Sequence, residues 1–147
     1  MSIDLTQAEA DSLLAMKKKI VGDSVFQFPA SGERLQIPLE SLDRTEDFLL
    51  DVTRSRIDLA KITYQNRARI VVVLLRLDVS GPPHRNPDGE LIACPHLHVY
   101  REGYGDKWAI AIPTGKFENI QNRVQTLIDF MTECNVTEQP SIQTGLF

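Results

Sequence analysis

Alternating apolar and polar positions predict a protein built mainly from strands. The stretch KITYQNRAR, residues 61–69, places Ile62, Tyr64 and Ala68 on one side and mostly basic or polar side chains on the other. That period of two is typical of a half-buried strand. The next run, IVVVLLRLDV, is apolar on both faces and β-branched at its start. It therefore predicts a central strand of a sheet.

Further strands are predicted on both sides of this pair. The short alternating runs VFQFP and RLQIPL flank Ser31 and Gly32 and predict a hairpin, and DFLLDVTRSRIDL has a strand-like composition. Prolines and the pair Asp88 and Gly89 then predict a turn-rich loop. Beyond that loop, ELIACPHLHVY and KWAIAIP predict two more strands, joined by a glycine-containing turn.

Helical periodicity is confined to the two ends of the chain. Thr6 and Glu9 form a capping box that begins a helix of about residues 6–21, with lysines 17–19 in its last turn and Gly22 after it. A second helix near the C-terminus is predicted from apolar residues at three- and four-residue spacing: Phe117, Ile120, Val124, Leu127, Ile128 and Met131.

The order helix, strands, helix predicts an α+β fold. We expect a mostly antiparallel sheet or half-barrel of about six strands, flanked by an N-terminal and a C-terminal helix. Residues 1–147 are expected to form a single domain, with residues 139–147 as a loose tail.

Composition narrows the functional classes. A net charge of −4 and 24% charged residues are ordinary for a globular protein. The longest apolar run, residues 70–75, is too short to span a bilayer. Cys94 and Cys134 have neither the spacing of a redox motif nor that of a zinc pair. The expectation is a cytoplasmic protein with no membrane partner.

All three histidines of the chain lie in one segment, residues 81–109: His84, His96 and His98. Residues two apart on a strand share a face, so His96 and His98 are expected side by side, with Tyr100 and Glu102 following them. Leu97 would then face the core. The third histidine lies in the proline-rich loop, from which it could fold back toward this row.

The first interpretation of this face is acid–base catalysis on a phosphodiester without a metal or other cofactor. Imidazoles titrate near neutral pH, so His96 and His98 would act as proton donor and acceptor, and His84 would help at the phosphate. Nearby basic and aromatic side chains would bind the substrate: Arg85, Arg101, Lys107, Tyr100 and Trp108. Residues 53–76 contain six basic residues and one acid, a local basic surface suited to RNA.

Two other interpretations use the same residues. The pattern H-x-H-x-x-x-E, formed by His96, His98 and Glu102, resembles the first metal motif of cupins and would hold a divalent transition metal. The later glycine and the second histidine motif of that family are absent from the sequence. Alternatively, the segment is a non-catalytic module that binds a partner protein, which the net charge of −4 favours over a free ribonuclease. A rigid turn without a function is the remaining reading.

Longer patterns are similar to two known groups. The runs LLRLDVSGPPHRNPDG and PHLHVYREGYGDKWA resemble a family of uncharacterised bacterial and prophage proteins over about residues 26–113. The shorter pattern R-x-D, P-H and P-H-x-H is similar to that of toxins from toxin–antitoxin modules, in which the matching positions are Arg76, Asp78, His84, His96 and His98. Leu77 stands where those toxins have a tyrosine, and their adjacent histidine pair is missing.

These resemblances set the leading hypothesis. They imply a small mobile-element or toxin-type protein that acts on RNA, with a neutralising or target protein as a further partner. Combined with the histidine segment, the hypothesis is a metal-independent ribonuclease. A binding module and a metal-binding protein are the alternatives.

Overall fold

A sheet with seven strands organises the molecule in a computed structural model that describes residues 4–22 and 25–144. The elements follow one another as α1 (Gln7–Ala15), β1 (Lys18–Ile20), β2 (Val25–Gln27), β3 (Arg34–Ser41), β4 (Asp47–Arg54), β5 (Ile62–Ala68), β6 (Val72–Asp78), β7 (His84–Arg85), β8 (Leu91–Ile92), β9 (His96–Val99), β10 (Ala109–Ala111), α2 (Arg123–Glu133) and β11 (Ser141–Gln143).

The strand order in the main sheet is β1-β3-β4-β5-β6-β9-β10, and every neighbouring pair is antiparallel. The sheet is open, with β1 and β10 at its edges. The prediction of an α+β fold with a mostly antiparallel sheet and a helix on each side of it in sequence is therefore confirmed, without closure into a barrel.

The two faces of the sheet differ in chemistry. Along β5 the residues alternate between buried and half-buried, as the period of two predicts. One face is apolar and packs against buried residues of both helices, with Tyr64 of β5 in ring contact with Phe130 of α2. The opposite face is polar, and β3 to β9 contribute to it Gln36, Asp51, Thr63, Gln65, Arg76, Asp78, His96 and His98. This polar face carries the candidate site.

Helix α1 is shorter than predicted. The capping box of Thr6 and Glu9 forms as expected, but the helix ends at Ala15, and Lys18 and Lys19 belong to strand β1. The reason lies in Lys18, which is fully buried. Its ammonium group donates hydrogen bonds of 2.7–2.9 Å to carbonyls near the ends of both helices, those of Leu14, Met16 and Cys134. A lysine still caps the helix, but from the following strand.

Three further predictions differ from the structure. Strand β2 does not form a hairpin with β3 across Ser31 and Gly32, because it pairs in parallel with β11. Residues 141–143 are consequently a strand and not part of a loose tail, whereas residues 145–147 lie outside the described residues. The second helix begins later than predicted, at Arg123, where the Asn122 side chain accepts a hydrogen bond from the amide of Gln125.

The segment ELIACPHLHVY is divided between β8 and β9, with a cis peptide between Cys94 and Pro95. Neither of the helices in the described part of the chain has the length and apolar character needed to cross a membrane.

Candidate metal centre

Neighbouring strands β6 and β9 build the candidate site. Their antiparallel register pairs Arg76 with His98 and Asp78 with His96. Because residues two apart on a strand share a face, these four side chains project from the polar face of the sheet as one group. A carboxylate is thereby placed against two imidazoles.

Hydrogen bonds to backbone carbonyls fix the orientation of both imidazole rings. Nδ1 of His96 lies 3.1 Å from the carbonyl oxygen of Ile92, and Nδ1 of His98 lies 2.8 Å from that of Asp106. A carbonyl oxygen only accepts hydrogen bonds, so each Nδ1 carries a hydrogen and donates it. In the neutral tautomer assigned by these contacts, Nε2 of each ring presents a lone pair.

Both Nε2 atoms face the same carboxylate oxygen. Oδ2 of Asp78 is 3.2 Å from Nε2 of His96 and 3.2 Å from Nε2 of His98. Lone pairs directed at an ionised carboxylate are unfavourable unless a cation or a proton lies between them. Two ligand atoms bound about 2.0–2.1 Å from one ion in octahedral or tetrahedral geometry lie about 2.9–3.4 Å apart. The two observed distances between the carboxylate and the imidazoles fall within this range.

The cluster of Asp78, His96 and His98 could accordingly hold a metal ion, with one ligand atom of each residue within 4.8 Å of the others. Histidines that bind metals commonly donate their second ring N–H to a carbonyl or carboxylate, as both of these rings do. Burial alone would raise the pKa of Asp78, but the hydrogen bonds and the positive charge of Arg76 hold it well below its ordinary value. The carboxylate is therefore ionised and ready to bind a cation.

Arg76 lies beside the cluster and supplies its present counter-charge. Its Nε and Nη2 donate to the two oxygens of Asp78 at 3.1 and 3.3 Å, and its Nη1 donates to Asp106 at 2.7 Å. Nη2 also lies 3.0 Å from Nε2 of His98. A metal ion would replace only the contacts of Nη2, because Nε and Nη1 can keep their carboxylate partners.

A small pocket of about 200 Å³ opens over the cluster. The His96 and His98 residues beneath it are only 2% and 1% exposed. The half-buried His84 also lines the pocket, with its ring centroid 4.6 Å from that of His98 and 6.0 Å from that of His96. Its Nε2 lies 2.7 Å from the carbonyl oxygen of Lys107 and donates to it. The structure thus brings all three histidines together.

The β7–β8 hairpin that carries His84 is anchored to the edge strand. The side chain of Asn86 pairs with the backbone of Ala109 in both directions, at 2.9 and 2.8 Å. The register also places Ala109 beside His98 and Ala111 beside His96, and these small side chains leave room above the imidazoles. The HRNPDG turn, residues 84–89, therefore positions His84 over the site.

The continuous row predicted from His96 to Glu102 is wrong, because β9 ends at Val99. Tyr100 is buried in the core, and its hydroxyl donates to the carbonyl of Leu5 and accepts from the amide of the same residue. The carboxylate of Glu102 accepts a hydrogen bond from the backbone of Gln7 at the start of α1. Both side chains position the N-terminal segment instead of facing the histidines.

The other side chains predicted to bind substrate also lie outside the pocket lining. Arg85 donates to the carbonyl of Gly89 within its own turn. The guanidinium of Arg101 stacks over the Trp108 ring at 3.9 Å. Lys107 is exposed and approaches the site only through its carbonyl.

Three of the six basic residues in the locally basic stretch form ion pairs within the protein. Arg67 forms an ion pair with Asp51 at 2.7 Å, Arg69 pairs with Glu46 at 3.0 Å, and Arg76 is paired as described. Fewer free cations are therefore available on this sheet for a nucleic-acid backbone than a count of residues indicates.

The predicted catalytic and substrate-binding residues did not include three contributors: Arg76, Asp78 and Asp106. The first two stand at matching positions of the toxin pattern, which assigned them no role. The signal for the first two was the alternation R-x-D at the end of the central strand, which puts both on one face. The sequence does not state that this strand pairs with the H-x-H strand, nor in which register. Asp106 contributes its backbone carbonyl to His98 and its carboxylate to Arg76, and it carries no comparable pattern.

Comparison with known proteins places the chain in a family. A family model described as "Family of unknown function (DUF6978)" matches residues 5–136, so the chain belongs to this family. The resemblance to an uncharacterised family is thereby confirmed, and this match carries no link to toxins. No curated protein and no solved structure matches the chain.

Proposed function

We propose that this member of a family of unknown function binds one divalent transition-metal ion through Asp78, His96 and His98. A single observation carries the proposal. Two imidazole Nε2 atoms converge at 3.2 Å on one ionised carboxylate oxygen while both Nδ1 hydrogens are used by carbonyls. Two nitrogen ligands and one oxygen ligand suit zinc, ferrous iron and related ions.

The open side of this centre faces the pocket. Three protein ligands leave at least one coordination position for water or a substrate atom, which is the arrangement of catalytic and not of structural metal sites. An ion held there would lower the pKa of a bound water or polarise a substrate oxygen. His84, beside the cluster, would contact whatever occupies that position.

The metal-independent ribonuclease is the second candidate. It is favoured by the alternative in which His96 is protonated and donates Nε2–H to Asp78, a pairing that needs no metal. Two observations weigh against it. The two imidazoles are 2% and 1% exposed, which limits direct proton transfer between either ring and an RNA substrate, and the expected base-stacking and phosphate-binding residues lie outside the pocket. A role in a mobile element or toxin module rests on the sequence resemblance alone.

Calorimetric titration of EDTA-stripped, dialysed protein with Zn²⁺ tests the proposal. We expect one ion per chain, and an affinity reduced roughly 100-fold or more in His98→Ala, because a direct ligand is lost. His84→Ala is the matched control: it removes a neighbouring imidazole that is not one of the three ligands and should change the affinity only a few-fold.

Equal binding by wild type and His98→Ala would contradict the metal site. Cleavage of labelled RNA in excess EDTA by wild type, but not by His98→Ala, would instead establish the second candidate.

A further inference from the structure

The pocket over the metal cluster offers hydrogen-bond donors that have no partner in the protein. Lys61, Thr63 and Ser80 line it. Within residues 4–22 and 25–144, the Lys61 ammonium and the two hydroxyl groups form no hydrogen bond or ion pair. A ligand that enters this pocket therefore meets one ammonium group and two hydroxyl groups that have no partner among the described residues.

Acceptors around the same pocket are already engaged. The carboxylate of Asp78 is bound by Arg76 and faces the imidazoles, and the Nδ1 atoms of His96 and His98 are donors to carbonyls. The Lys61 ammonium can only donate, and the two hydroxyl groups can donate or accept, so an acceptor-rich ligand can use all three groups whereas a cationic one cannot.

The net charge of the site with a divalent ion bound also favours an anionic ligand. A divalent ion brings two positive charges, and Lys61 and Arg76 bring one each, against one negative charge each from Asp78 and Asp106. Lys61 contributes its side chain to the lining of the same pocket. An anion would relieve the excess positive charge.

The size of the pocket limits the anion. A volume of about 200 Å³ is below the range of pockets that enclose drug-sized ligands, so only a compact group fits directly over the ion. The metal position, one ammonium group and two hydroxyl groups are four possible partners for ligand oxygens, which suits a tetrahedral group with several oxygens better than a carboxylate with two.

On these grounds, and resting on the metal site proposed above, we infer that the pocket binds a phosphate group, one oxygen of which completes the coordination of the metal ion while Lys61, Thr63 and Ser80 hold the others. The class of ligand is then a phosphate ester or inorganic phosphate. The pocket opens to the surface beside Pro82 and Pro83, both exposed, which leaves a path for the remainder of an ester.

Cobalt-substituted protein tests this inference with a readout that reports the metal first. Protein loaded with one equivalent of Co²⁺ should show visible d–d absorption, and inorganic phosphate should change that absorption in a saturable way. Lys61→Ala should weaken the phosphate response about tenfold, because one charge-assisted hydrogen bond is lost. Lys17→Ala is the matched control, since Lys17 is exposed and does not line the pocket.

The outcomes separate the two proposals. Failure of the wild type to take up Co²⁺ would overturn both the metal site and the phosphate pocket. A cobalt spectrum that phosphate leaves unchanged, or that acetate changes and phosphate does not, would overturn the phosphate assignment alone. An equal phosphate response in Lys61→Ala and Lys17→Ala would also overturn it. Adenosine monophosphate in place of inorganic phosphate then distinguishes an ester, which must extend out of the pocket, from the free ion.

Discussion

Two aspartates on the same polar face of the sheet show opposite solutions to holding a negative charge. Asp51 on β4 and Asp78 on β6 are both ionised, and the pKa of each is lowered. Around Asp51 every neighbouring polar group is a donor. Asp78 has a donor, Arg76, on one side and two imidazole lone pairs on the other.

The Asp51 cluster is closed. Its carboxylate is 1% exposed and accepts five hydrogen bonds from the side chains of Arg34, Gln36, Gln65 and Arg67. About four lone-pair sites are available on a carboxylate, so no position is left for a ligand. The Asp78 carboxylate is 20% exposed and borders a pocket. The chemistry of the neighbours, more than burial, separates a structural charge from a candidate functional one.

The largest expected difference between the two clusters is in stability. Asp51→Ala removes the acceptor of five hydrogen bonds and leaves the mostly buried Arg67 without its carboxylate, so we expect a loss of about 3–5 kcal/mol in the free energy of unfolding. Asp78→Ala in EDTA should lose only about 1–2 kcal/mol, because Arg76 keeps Asp106 and the imidazoles lose an unfavourable neighbour. Urea unfolding measures both. Equal losses would show that Asp78 is as structural as Asp51.

Addition of a metal ion should also distinguish Asp51 from Asp78 through its effect on the free energy of unfolding. Free Zn²⁺ at about 100 times its dissociation constant is expected to raise the free energy of unfolding by about 2.7 kcal/mol, because the ion binds the folded chain. Asp51→Asn should be less stable than the wild type without metal, but Zn²⁺ should raise its free energy of unfolding by the same amount. In Asp78→Asn most of this increase should be lost. Thermal unfolding with and without Zn²⁺ measures the increment. A full increment in Asp78→Asn would remove this carboxylate from the ligand set.

Much of the fold followed from local patterns, because alternation along a strand depends only on neighbouring residues. For that reason it was predictable which side chains of β5 face the core. It was equally predictable that Leu97 lies on one face of β9 and that His96 and His98 lie on the other. The pairing of β2 with β11 was not, since it joins segments more than a hundred residues apart and leaves no local signature.

The candidate site was predictable in part for the same reason. The histidines were found because two of them alternate on one strand and because the chain has only three, all in one segment. Glu102 was expected as the third metal ligand because it continues the alternation, but the strand ends at Val99 before it. Asp78 replaces it by coming from the neighbouring strand, and the register that aligns two strands is a property of the folded sheet.

Low pH should reduce the stability that the Asp51 cluster contributes, and this is the smallest of the three expected effects. Hydrogen bonds from Arg67, Gln65, Arg34 and Gln36 outweigh burial and lower the pKa of Asp51 to about 2. A carboxyl group whose pKa is lower in the folded state contributes stability above its ordinary value, and that contribution is lost as the pH falls toward the folded value. The stability gap between wild type and Asp51→Asn should therefore narrow by about 2 kcal/mol between about pH 5 and about pH 2. Urea unfolding across that range measures the gap. A gap that stays constant would mean that the charge of Asp51 contributes nothing and that its hydrogen-bond geometry alone holds the four side chains.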